Sequence, residues 1–80
     1  MTAKITVSLK PGVLDPQAKA IGHALEVLGF EGIQETVVGK IITLKLAESD
    51  AIKAKESVTQ MCETLLANTV IENYQIELLP

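Results

Sequence analysis

The stretch Lys4-Ile5-Thr6-Val7-Ser8-Leu9-Lys10 alternates apolar and polar residues without interruption. Ile5, Val7 and Leu9 fall on one face and Thr6 and Ser8 on the other, which is the period of a half-buried strand. The pattern returns at Ile42-Thr43-Leu44-Lys45-Leu46, which aligns residue for residue with Ile5-Thr6-Val7-Ser8-Leu9. What lies between the two copies sets the topology. Pro11-Gly12 ends the first strand, and Asp15-Pro16 reads as an N-cap followed by proline at the first helical position. Ala18, Ile21, Leu25 and Leu28 then recur at helical spacing, and Gly29 suits a left-handed helix terminus. Gly32 opens a second extended run over 33–38, and Gly39-Lys40 reads as a tight hairpin link into the strand 41–46.

The second half repeats the plan. Ser49 or Asp50 caps a helix whose apolar stripe is Ile52, Val58, Met61, Cys62, Leu65 and Leu66. It stops near Ala67-Asn68, where Asn suits a left-handed terminus. Tyr74, Ile76 and Leu78 form a last alternating strand. The order βαββαβ predicts an α+β fold: a four-stranded antiparallel sheet with two helices on one face, a ferredoxin-like arrangement built as one domain over residues 1–80. The likeness of the halves reads equally as an old duplication or as the ordinary periodicity of any repeated βαβ unit. The sheet face away from the helices is expected to carry Thr6, Ser8, Ile41, Thr43, Lys45, Gln75 and Glu77. On it, Val37, Ile41 and Thr43 are the candidate interface residues.

Composition narrows the function. The 80 residues are 48% hydrophobic but only 2% aromatic, so the core is aliphatic and disorder is excluded. A domain of this size has a thin core, and self-association is one of the usual remedies. The formal charge is −3, and all seven basic residues are lysines. Without arginine there is no bidentate fork for phosphate or guanine, and Phe30 and Tyr74 offer few stacking platforms, so nucleic acid is not an expected partner. No run approaches a membrane span and no export signal is apparent, so a cytoplasmic location is expected.

The residues able to carry chemistry do not converge. His23, the one histidine, lies on the flank of the first helix with Glu26 three residues on. It has no nearby nucleophile and reads as a solvated or interface residue. Cys62 sits on an apolar stripe and reads as core filler. One Cys and one His make no zinc site. Gly39-Lys40 lacks the other residues of a phosphate loop and precedes a strand, so it reads as a turn. Asp15, Glu48, Asp50 and Glu56 belong to helix starts, where they favour the dipole. No catalysis is expected from this chain alone.

Two segments carry a family resemblance. One is Val13-Leu14-Asp15-Pro16-Gln17 leading to His23-Ala24-Leu25 and Leu28-Gly29-Phe30. The other is Met61-Cys62-Glu63 with Leu65-Leu66-Ala67-Asn68-Thr69-Val70-Ile71-Glu72-Asn73-Tyr74. With Val38-Gly39-Lys40 between them, these resemble PurS, the small-subunit family of phosphoribosylformylglycinamidine (FGAM) synthase. The resemblance spans essentially the whole chain. It implies a non-catalytic subunit in purine biosynthesis, forming a homodimer or tetramer. Such a subunit assembles a PurL-like synthetase with a PurQ-like glutaminase and aids ammonia transfer between them. It also implies no cofactor in this chain, with ATP and magnesium on the synthetase. The competing reading is a small ferredoxin-like regulatory domain that binds an amino acid or metabolite between paired subunits.

Overall fold

The computed structural model describes residues 1–80. Strand β1 runs Thr2–Leu9, helix α1 Pro16–Val27, β2 Gly39–Lys45, α2 Ala51–Met61 and β3 Glu72–Leu79, with a π-helical turn Cys62–Leu66 closing α2. The sheet is three-stranded and antiparallel, in the order β2-β1-β3. Ile5 in the central strand pairs with Ile42 on one side and Ile76 on the other. Ala3, Ile5 and Val7 therefore share the inner face with Ile42, Leu44, Ile76 and Leu78, and α2 covers it through Val58 and Cys62.

Both helices start where the sequence places them. The Asp15 carboxylate accepts hydrogen bonds from the backbone N–H groups of Gln17 and Ala18 at 3.0 and 3.2 Å. Of the two candidates for the second cap, Asp50 does the capping, accepting from Ile52 and Lys53. Each satisfies two of the orphan donors of a helix start. Gly29 takes a φ of +95°, as expected just past the end of α1.

Three expectations need correction. The expected fourth strand over 33–38 pairs with nothing in this chain, so the sheet has three strands rather than four. The reason lies at Gly39. A two-residue hairpin turn needs a positive φ at its first position. The positive-φ glycines are Gly12, Gly29 and Gly32, and Gly39 is not among them. Gly39 and Lys40 instead open β2, where Gly39 faces Ser8 and Lys40 faces Val7. Glycine is required here for a different reason: a Cβ would stand 2.7 Å from the Val7 carbonyl oxygen. That oxygen belongs to the central strand and cannot move aside without breaking the ladder. Gly39→Ala is accordingly expected to lower stability by about 1–3 kcal/mol, the usual range for overpacking. Urea denaturation checks this, and an unchanged midpoint would contradict it.

The second correction concerns the α2 stripe. The buried residues are Ala54, Val58 and Cys62, while Ile52 and Leu65 are 72% and 83% exposed. A spacing of four drifts by about 40° per step around a helix of 3.6 residues per turn. The wider π turn absorbs this drift, delivering Leu66 and the buried Ala67 to the core and turning Leu65 outward. Asn68 is correspondingly not left-handed. Its backbone N–H donates to the Glu72 carboxylate at 2.7 Å, and its side-chain oxygen accepts from the Val70 N–H at 3.2 Å, making a hydrogen-bonded turn into β3.

The third is the position of α1. It was expected beside α2 on the sheet, yet none of its residues belongs to the core cluster. Strands of eight residues are about 26 Å long, while the molecule measures 49 × 26 × 14 Å. Helix α1 and the extended residues 31–38 that return alongside it make up the excess length, forming an arm that leaves the sheet. The radius of gyration is 16.1 Å, against about 12 Å for a compact chain of this length.

Candidate functional site: an interaction surface

The arm and the outer sheet face are the parts of the molecule that folding leaves unused. Only eight of 80 residues are buried, and none of them is polar or charged. The accessible surface is 6034 Å², whereas a compact monomer of this mass would expose about 4,700 Å². Much of the excess is apolar and lies along the arm, where Val27 and Leu28 are 72% and 73% exposed and Phe30 and Val37 are also open.

The three residues read from the sequence as an interface are all exposed. Ile41 and Thr43 lie on the outer face of β2, opposite Thr6 and Lys4 of β1. Val37 stands apart from them, on the arm just before β2 begins. The outer face is otherwise polar, with Lys4 directly across from Glu77. An opposite-charge pair in that position favours the register modestly.

His23 lines a shallow groove of about 410 Å³ between α1 and residues 33–36, with Asp15, Lys19, Glu26 and Glu35 around it. The groove exists because Gly22 admits Thr36 closely: a Cβ on Gly22 would fall 2.9 Å from the Thr36 hydroxyl oxygen. No three His, Cys, Asp or Glu side chains are arranged to hold a metal ion. The groove holds charged groups of both signs on an open surface, and no base is oriented against a nucleophile.

Cys62 is fully buried between α2 and the sheet. Burial pushes its thiol above the ordinary value, and the neighbouring Glu63 carboxylate adds to the shift. Tyr74, half-buried on β3, is raised first by burial, then by the Glu63 carboxylate, with Cys62 adding to the shift. Both groups hold their protons more tightly folded than unfolded. Their contribution is therefore whole below the ordinary pKa and is lost as pH rises through the shifted one. Thermal stability should fall as pH climbs from about 9, which melting curves at neutral and alkaline pH will read. An alkaline midpoint equal to the neutral one would contradict this. A thiol with a raised pKa is the opposite of an activated nucleophile.

The family model for PurS, phosphoribosylformylglycinamidine (FGAM) synthase, matches residues 2–80. The PurS subunit of Bacillus subtilis is 46% identical over 74 residues, covering 92% of this chain and 87% of the relative. The crystal structure of Methanocaldococcus jannaschii PurS, a subunit of formylglycinamide ribonucleotide amidotransferase in the purine biosynthetic pathway, superposes with a TM-score of 0.84. It is 41% identical and covers 95% of this chain and 92% of that one. A chain in the structure of PurLQS from Thermotoga maritima also gives a TM-score of 0.84, at 30% identity, covering 99% of both chains. A match that runs the length of both partners in sequence and in structure leaves one assignment: this chain belongs to the PurS family.

Proposed function

We propose that the chain is the non-catalytic bridging subunit of FGAM synthase in purine biosynthesis. It assembles a PurL-like synthetase with a PurQ-like glutaminase and aids the passage of ammonia between them. The observation that carries this reading is the full-length likeness to a chain of the Thermotoga maritima PurLQS structure. The molecule's own physics supports it: about 1,300 Å² of surface beyond that of a compact monomer, and no constellation able to hydrolyse glutamine or activate an amide. In this reading the chain acts without a cofactor of its own, with ATP and magnesium on the synthetase. It works in the cytoplasm as a homodimer or tetramer, its residues 1–80 forming one domain. The fourth strand over 33–38 belongs to the self-assembled form, and Val37, Ile41 and Thr43 contribute to contacts between subunits. The metabolite-sensor reading rests on sheet architecture alone and has no observation of its own in its favour.

Copurification tests the proposal. Tagged chain at micromolar concentration should retain both a synthetase and a glutaminase and should sediment as a dimer or larger. A compact monomer that retains neither would overturn it.

A further inference from the structure

We infer that the free edge of β3 takes up an extended, basic segment of a partner subunit, which joins the sheet as an added strand. The inference rests on the bridging role proposed above and names the surface through which a partner is held.

The edge is open and regular. β3 ends the sheet order β2-β1-β3, so one of its sides has no strand beside it. It is eight residues long and pairs with β1 in one unbroken register, from Thr2 opposite Leu79 to Leu9 opposite Glu72. Sheets blunt an exposed edge with lysine, proline or a bulge. β3 contains neither lysine nor proline, and its register has no bulge. The strand at the other end, β2, carries Lys40 and Lys45.

One hydrogen bond fixes where the backbone groups of β3 point. The Lys10 N–H donates to the Ile71 carbonyl at 2.8 Å, and in an antiparallel ladder every second opposed pair is hydrogen-bonded. Along the register, Asn73, Gln75 and Glu77 are then the residues bonded to β1, through Ser8, Thr6 and Lys4. Tyr74, Ile76 and Leu78 alternate with them, so their N–H and C=O groups face the open side. Donors and acceptors on alternate residues are the pattern that an added strand takes up.

Charge and apolar surface select the occupant. Glu63, in the π turn, lines a shallow groove of about 490 Å³ with Lys10, Tyr74 and Gln75, which places it beside β3. On α2, Ile52 and Glu56 share one face with Glu63, and Ile52 is 72% exposed. Glu56, Glu63, Glu72 and Glu77 therefore lie on this side of the molecule, against Lys10 and Lys55. A second copy using the same edge would set this acidic strip against itself, and like charges facing each other across an interface suppress that pairing. A segment that carries lysine or arginine, with an apolar residue to cover Ile52, meets the strip with opposite charge.

The test is hydrogen–deuterium exchange resolved to single amides by fragmentation mass spectrometry. It compares the full chain alone with the chain in complex with its synthetase and glutaminase. The amides of Tyr74, Ile76 and Leu78 should exchange about tenfold or more slowly in the complex, while those of Asn73, Gln75 and Glu77, already bonded to β1, should change little. A complex that forms with no slowing at Tyr74, Ile76 and Leu78 would overturn edge docking and leave the bridging role standing. Slow exchange of those three amides in the chain alone would mean that a second copy covers the edge, and would overturn it as well. Failure of any complex to form would overturn both. Charge is read separately: Glu77→Lys, on the exposed outer face, should weaken retention of the partners by about tenfold or more. Retention equal to that of the parent would overturn the basic occupant.

Discussion

Ile5→Ala is expected to unfold a large part of the population at moderate temperature. Ile5 is fully buried at the middle of the central strand, flanked by Ile42 and Ile76 in the sheet and packed in one cluster with Val58 and Cys62. Truncating a buried isoleucine to alanine removes its transfer free energy and leaves a cavity, at about 2–5 kcal/mol. Domains of this length hold roughly 4–12 kcal/mol in all, and this one has only three other large side chains fully buried, Val7, Val58 and Cys62. The loss should lower the melting temperature by about 10 °C or more. Thr6→Ala, one residue away on the exposed face, should stay within about 0.5 kcal/mol of the parent. Both should be compared at one protein concentration, since association contributes to apparent stability. Equal effects of the two substitutions would contradict the core assignment.

Much of this fold is legible in the residues alone. Strand β1 announces itself by alternation, and Ile5 and Val7 of its apolar set are buried while Leu9, at the strand's end, stays partly exposed. Asp15 and Asp50 announce the helix starts because a short carboxylate before a helical pattern has one economical use. Three things were not legible, each for a physical reason. A glycine within alternating residues fits both a hairpin turn and a close backbone approach, and only the φ of Gly39 separates them. The α2 stripe at Ala54, Val58 and Cys62 hides among larger apolar neighbours, and its spacing of four makes sense only with the π turn that follows. The apolar residues of α1 read as a face packed on the sheet, yet none of them joins the core cluster, because helical periodicity states that a face is apolar and not what it meets.

The candidate surface divides in the same way. Ile41 and Thr43 lie on the outer sheet face as read from the strand period, while Val37 belongs to the arm, because the hairpin that would have carried it onto the sheet does not form. The segment that bears the family resemblance most specifically, Leu65 to Tyr74, proves to be a structural unit: the π turn, the hydrogen-bonded turn at Asn68 and the start of β3. Its two most exposed members, Leu65 and Val70, are 83% and 81% open. Packing within one chain does not account for them.

The largest functional effect is expected on the use of glutamine. A subunit that holds a glutaminase against a synthetase acts by proximity, confining ammonia near the second site and raising its effective concentration there. It contributes little to a step supplied with ammonia from solution, because the chemistry of that step belongs to the synthetase. Omitting the chain should therefore remove most of the glutamine-dependent rate and leave most of the ammonia-dependent rate. The chain alone should turn over neither substrate, since His23, Cys62 and the lysines form no catalytic grouping.

The most direct measurement is thus a pair of rates, FGAM formation from glutamine and from ammonia, each with and without this chain at fixed synthetase and glutaminase. The bridging account predicts a large loss confined to the glutamine reaction. Equal loss of both rates would contradict it and point to direct activation of the synthetase, and no loss of either would remove the chain from the reaction.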